Sequence, residues 1–173
     1  GFIDAHNWLF TVRGIPVVYY GSETGFMRGQ AEHGGNRSYF GQERVDAAPA
    51  SPIFQALRRI ATLRRESPAL QRGLQLNVEL SGDRAVFYRV LEHGGTNQTA
   101  LVLLNKGDQP VDIAVSRYLQ PGQWRDGFNG EAVTVARSLT VNVPAHGARV
   151  FFYDQPLTRA DLRARLAEQM QTR

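Results

Sequence analysis

Gly14-Ile15-Pro16-Val17-Val18-Tyr19-Tyr20-Gly21-Ser22-Glu23 is a short apolar run between glycines, without the alternation of a half-exposed strand. An unbroken run rich in β-branched and aromatic residues suits a strand buried on both faces, as in a parallel sheet. Pro16 is tolerated only at the first position of such a strand. Ahead of it, Ile3 to Val12 reads as the end of a helix, stopped by Arg13-Gly14. After it, Gly25 to Pro49 carries Gly25, Gly29, Gly34, Gly35 and Gly41 with few aliphatics, which predicts a long loop. Ser51 and Pro52 then open a helix as N-cap and first helical residue, with Ile53, Phe54, Leu57, Ile60 and Ala61 on one face. Pro68 and Gly73 close the region. A single strand cannot make a parallel sheet, so residues 1–73 read as the end of a larger unit.

The texture changes near Gly73. Leu74, Leu76, Val78 and Leu80 alternate, Ser81-Gly82-Asp83 is a turn, and Ala85 to Leu91 is a strand. Thr99 to Leu104 is the most hydrophobic strand. Val111, Ile113 and Val115, then Val133 and Val135, then Leu139, Val141 and Val143 alternate again, and Arg149 to Tyr153 closes the series. Seven or so short strands at this spacing predict an antiparallel sandwich of roughly 80 residues over 74–154. Residues 155–173 form a last helix, with Thr158 and Asp161 as its capping box and Leu162, Leu166 and Met170 on one side.

The run quoted first closely resembles the G-x-P-x-x-Y-Y-G-x-E segment of the α-amylase family, glycoside hydrolase family 13. The resemblance continues through Asn36-Arg37, Phe54-Gln55-Ala56-Leu57 and Leu63 to Gly73, then Val102 to Gly107 and Val143 to Gly147. It spans about residues 1–154 in the family's order and leans toward cyclodextrin glucanotransferases and bacterial amylases. It implies an α+β fragment: the last strand, loop and helix of a (β/α)₈ barrel (1–73), then an antiparallel β-sandwich C-domain (74–154) and a C-terminal amphipathic helix (155–173). The parent would act on α-1,4-glucans such as starch, maltodextrin or cyclodextrin through a covalent glycosyl intermediate.

Active sites of such barrels lie at the C-terminal ends of the strands, so the loop after Tyr20 would line the substrate cleft. The resemblance assigns substrate binding to Asn36 and Arg37: the Arg fork grips sugar hydroxyls and the Asn amide both donates and accepts. A loop Asn and Arg also serve to pin their own backbone. The family's Asp at this loop is replaced by His33, which removes a carboxylate contact. Glu23 follows the strand, but its position in the family is structural or hydrogen-bonding.

Retaining glycosidases need two carboxylates ~5–5.5 Å apart, and in the family these precede the quoted run. Phe2-Ile3-Asp4-Ala5-His6-Asn7 superficially resembles the family's N-H-D segment. Six residues between Asn7 and Gly14 cannot hold a barrel helix, so Asp4 and His6 are expected on the helix itself. No catalytic residue, metal ligand or cofactor site is therefore expected in these residues, and the chain alone is expected to be inactive.

Composition sets the outer bounds. The chain has 173 residues, 42% hydrophobic and 21% charged, with a formal net charge of +4 and no Cys. Disorder is excluded by the apolar content and low charge, and thiol chemistry by the absence of Cys. No run approaches the ~18–20 apolar residues of a membrane helix. Nineteen of the 20 basic residues are Arg, Lys106 being the one Lys. Arg58, Arg59, Arg64 and Arg65 nevertheless fall at about 0°, 100°, 240° and 340° around their helix, so no basic stripe for nucleic acid forms. Compartment is left open. Tyr19, Tyr20, Phe54, Leu57 and Ile60 would face absent barrel strands, an apolar surface that implies a homodimer. The alternative is a free-standing β-sandwich module binding carbohydrate or protein. Trp124 reads as a sheet-packing residue more than a sugar platform.

Overall fold

A computed structural model of the chain describes residues 1–26 and 39–171. Helix α1 is Phe2–Thr11, α2 Gln42–Ala47, α3 Pro52–Glu66 and α4 Pro68–Arg72. Eight strands follow: β1 Leu74–Ser81, β2 Arg84–His93, β3 Thr96–Asn105, β4 Val111–Val115, β5 Gly122–Asp126, β6 Ala132–Val135, β7 Leu139–Val143 and β8 Gly147–Tyr153. Helix α5, Ala160–Gln171, ends the described chain.

The strands form a six-stranded sheet in the order β1-β2-β3-β8-β5-β6 and a two-stranded sheet β4-β7. Every pairing is antiparallel. Side chains of a strand alternate between faces, and the large sheet uses both. Val86, Tyr88, Val90, Leu101 and Leu103 face a core shared with Ile113, Val115, Val141 and Val143 of the small sheet and Leu162 and Leu166 of α5. Phe87, Ala100, Val102 and Leu104 face a second core, filled by Ile60 and Leu63 of α3 and Ala69 and Leu70 of α4. The helical half is thus bound to the sheet through the back of β2, β3 and β8.

Local chemistry sets the helix ends. Ser51 stands at the N-cap of α3 ahead of Pro52, although its side chain makes no capping bond. Ser67 does cap: its Oγ accepts from Leu70 N at 3.1 Å. Two expectations change in detail. The loop from Gly25 to Pro49 is shorter than expected, because α2 and a 3₁₀ turn at Ala48–Ala50 occupy its last part. The capping box of the last helix does not form. Thr158 Oγ1 instead accepts from Gln120 Nε2 at 2.8 Å, and Asp161 pairs with Arg159.

The larger correction concerns Ile15 to Tyr20. This run is not a strand, and it is not buried: Ile15 is 89% exposed, Val17 77%, Tyr19 53% and Tyr20 49%. A strand buried on both faces needs neighbours, and no described segment pairs with it. Ile60, expected on the same open surface, is instead buried at 1% exposure in the second core, with Leu57 partly buried beside it.

Candidate functional site

The segment from Val12 to Phe26 runs from the end of α1 toward the loop that the family resemblance places over substrate. The last carbonyls of a helix have no partner within it, and here two buried arginines take them. Arg64 of α3 donates to Phe10 O and Val12 O at 3.0 Å each, and also to Gly14 O. Arg89 of β2 donates to Thr11 O at 2.8 Å and to Gly73 O at 2.9 Å. A rigid guanidinium fork suits this multiple grip. Burial lowers the pKa of both side chains. Arg89 is pushed down to about 10, first by burial and then by the charges of Arg64 and Arg13. The start of the exposed run is thereby fixed against both α3 and the large sheet.

The run ends in a tight turn. Gly21 has φ +80°, and a Cβ there would lie 2.8 Å from Phe26 Cβ; at Gly25, φ +67°, it would lie 2.8 Å from Ile53 Cδ1. Only glycine takes both the left-handed backbone and the close approach. Phe26 then stacks edge-on with Phe40 (5.1 Å) and Tyr20 (6.3 Å), and Tyr20 with Phe40 (5.6 Å). The Tyr20 hydroxyl accepts from Phe40 N at 2.7 Å. Residues on either side of the stretch 27–38 are therefore held together by one aromatic cluster. Asn36 and Arg37, the expected substrate contacts, and His33 lie in that stretch, outside the described residues.

Glu23 sits on a 3₁₀ turn, Ser22–Thr24, and His6 of α1 is buried at 5% exposure. Burial lowers the His6 pKa, and the charge of Glu23 opposes that shift. His6 Nδ1 is buried without a partner among the described residues. Asp4 and His6 do lie on α1. Asp4 faces His146 Nδ1 at 3.1 Å, and His146 Nε2 meets Asp108 at 2.9 Å, tying α1 to loops of the sheet half. Trp124 is 1% exposed and donates its indole N–H to Gln120 O at 2.8 Å, a core residue and not a sugar platform.

Arg64 and Arg89 were not singled out by sequence reasoning as junction residues. Arg64 reads there as one of four arginines spread around its helix. Arg89 carried a usable signal: it is the one charge inside the apolar run Ala85 to Leu91, and a buried charge requires partners.

A cyclomaltodextrin glucanotransferase of Klebsiella oxytoca is 31% identical over 133 residues, covering 75% of this chain and 20% of that protein. The chain resembles the C-terminal region of α-amylase-family enzymes. An α-amylase of Streptomyces lividans is 28% identical over 169 residues, 84% of this chain and 18% of that one. The chain thus spans about a fifth of the length of the curated relatives it matches. Among solved structures, a Geobacillus thermoleovorans α-amylase complexed with acarbose superposes with a TM-score of 0.69 at 24% identity, over 87% of this chain and 32% of that one. The cyclomaltodextrin glucanotransferase CldA gives 0.64 at 25% identity, over 89% and 32%. No protein-family model matches the chain. The α+β architecture with a mostly antiparallel sheet is that of these α-amylase-family neighbours.

Proposed function

We propose that the chain is the C-terminal region of an α-amylase-type glycoside hydrolase or glucanotransferase that acts on α-1,4-glucans with retention of configuration. In this reading residues 1–73 close a (β/α)₈ barrel and 74–154 form its β-sandwich C-domain. In the longer protein Ile15 to Tyr20 pairs as the last barrel strand, and the loop beyond it brings Asn36 and Arg37 to bound sugar. The nucleophile and the acid/base, which must stand ~5–5.5 Å apart, come from other parts of the longer protein. Glu23 acts on His6 and not on the glycosidic bond.

The observation that supports this most is the exposed run itself. Four large apolar or aromatic side chains lie open to solvent in a segment whose start is clamped by Arg64 and whose end is locked by Gly21 and Phe26. A segment placed firmly at both ends, with no strand partner among the described residues, is prepared for neighbouring strands. The test is the longer protein from the same reading frame. It should release reducing sugar or form cyclodextrins from soluble starch with the α anomer as first product, whereas the 173-residue chain alone should release none. An inactive longer protein, or starch cleavage by the chain alone that Glu23→Gln abolishes, would overturn the reading. In the chain alone the same edge pairs with a second copy, giving a homodimer.

A further inference from the structure

We infer that the cleft between α1 and the β1–β2 hairpin is a second binding site for a neutral oligosaccharide, with the Trp8 ring as its stacking face. That the sugar is an α-1,4-linked glucose chain rests on the function proposed above. The cleft has a volume of about 440 Å³, within the ~300–1,000 Å³ range of small-molecule sites.

Three observations point to this ligand chemistry. The first is the aromatic face. Trp8 is 40% exposed in the cleft, while its ring stands edge-to-face on Phe87 at 5.8 Å and 74°. Phe87 is fully buried, so the platform is held still, which lowers the ordering cost of binding. The second is unused hydrogen-bonding capacity. Among the described residues the Trp8 indole N–H has no acceptor and the Arg84 guanidinium has no carboxylate partner, whereas the Trp124 indole is bonded to Gln120 O. The third is charge. Asp4, Asp83, Arg84 and Lys106 line the cleft; Asp4 is paired with the Gly1 ammonium at 2.7 Å, and Lys106 Nζ lies 3.5 Å from Asp83. A lining with equal numbers of each sign, and with both carboxylates already paired, does not favour a highly charged ligand. A pyranose ring offers an apolar C–H face to an aromatic ring and a rim of hydroxyls that both donate and accept, which matches this lining.

Tryptophan emission reads the site directly, because the chain has two Trp and the other is 1% exposed. Titrating the chain with maltotriose should give a saturable emission shift and protect Trp8 from acrylamide quenching. In a ¹H–¹⁵N spectrum the Trp8 indole and the amides of Leu80 to Arg84 should move together. Trp8→Ala should weaken binding about tenfold or more, the loss of one stacking contact, and Arg84→Met should weaken it less. The spectrum of the unsubstituted chain decides the matter even if Trp8→Ala unfolds. Equal binding of cellotriose at Trp8 would overturn the α-glucan assignment. No response of Trp8 to any of these sugars would overturn the site itself, while leaving starch cleavage by the longer protein as a separate result.

Discussion

Two apolar runs of this chain, Ile15 to Tyr20 and Thr99 to Leu104, look alike on paper and end in opposite surroundings. The second is β3, paired on one side with β2 and on the other with β8. Thr99 is 1% exposed, Ala100 to Leu103 are fully buried, and Leu104 is 7% exposed. The first has equivalent residue types and no strand partner among the described residues. An unbroken run states a demand for burial on both faces, and whether the demand is met depends on segments distant in sequence. The sheet half meets its demands on one face with the small sheet and α5 and on the other with α3 and α4, whereas Ile15 to Tyr20 finds no such cover among the described residues.

The contrast predicts a gradient of responses to substitution. Trp124→Ala, which removes a buried ring packed on Tyr153 and its hydrogen bond to Gln120, should lower stability by about 3–5 kcal/mol in urea unfolding. Arg64→Ala should cost about 2–4 kcal/mol, because three carbonyls lose a buried donor. Amide exchange at Ser22, Thr24 and Phe26, whose N–H groups bond within the turn, should quicken in that variant while β3 keeps its protection.

His6 should make the helical half sensitive to acid. Its folded pKa lies below the ordinary 6.5 because the ring is buried, against the pull of Glu23. Above 6.5 the ring is neutral in both states and its contribution is complete. As pH falls through 6.5 the unfolded chain takes up the proton first, so stability declines until the lower folded pKa is passed. Urea midpoints measured at about pH 7.5 and pH 5.5 should differ less in His6→Asn than in the parent chain. The smallest change in stability belongs to the exposed run. Ile15→Ser with Val17→Thr should alter unfolding by no more than about 0.5 kcal/mol. Light scattering should nevertheless show the parent chain as a dimer at micromolar concentration and this variant as a monomer.

Much of the sheet half was readable in advance. Val111, Ile113 and Val115 alternate and sit opposite Val143, Val141 and Leu139 in β4-β7, because a period of two is a local property of the chain. The α3 start at Ser51-Pro52 was readable for the same reason: the preference of Pro for the first helical position is local, even though the Ser51 side chain makes no capping bond. The short helix α2 was hidden behind flanking glycines. Of the site, Gly21 as the end of the apolar run and the positions of Asp4 and His6 on α1 were legible. The clamp of Arg64 and Arg89 was not, since its acceptors lie 50 to 54 and 16 to 78 residues away.

Pattern and punctuation in the amino-acid order were enough to state where helices stop, which strands alternate and which runs ask to be buried. These are short-range matters of sterics, capping and side-chain period. Which faces found cover, that two arginines would hold the end of α1, and that Trp8 would look into a cleft against the β1–β2 hairpin were settled by packing. Burial and buried hydrogen bonds are properties of surfaces brought together from far apart in the chain, and no local spacing encodes them.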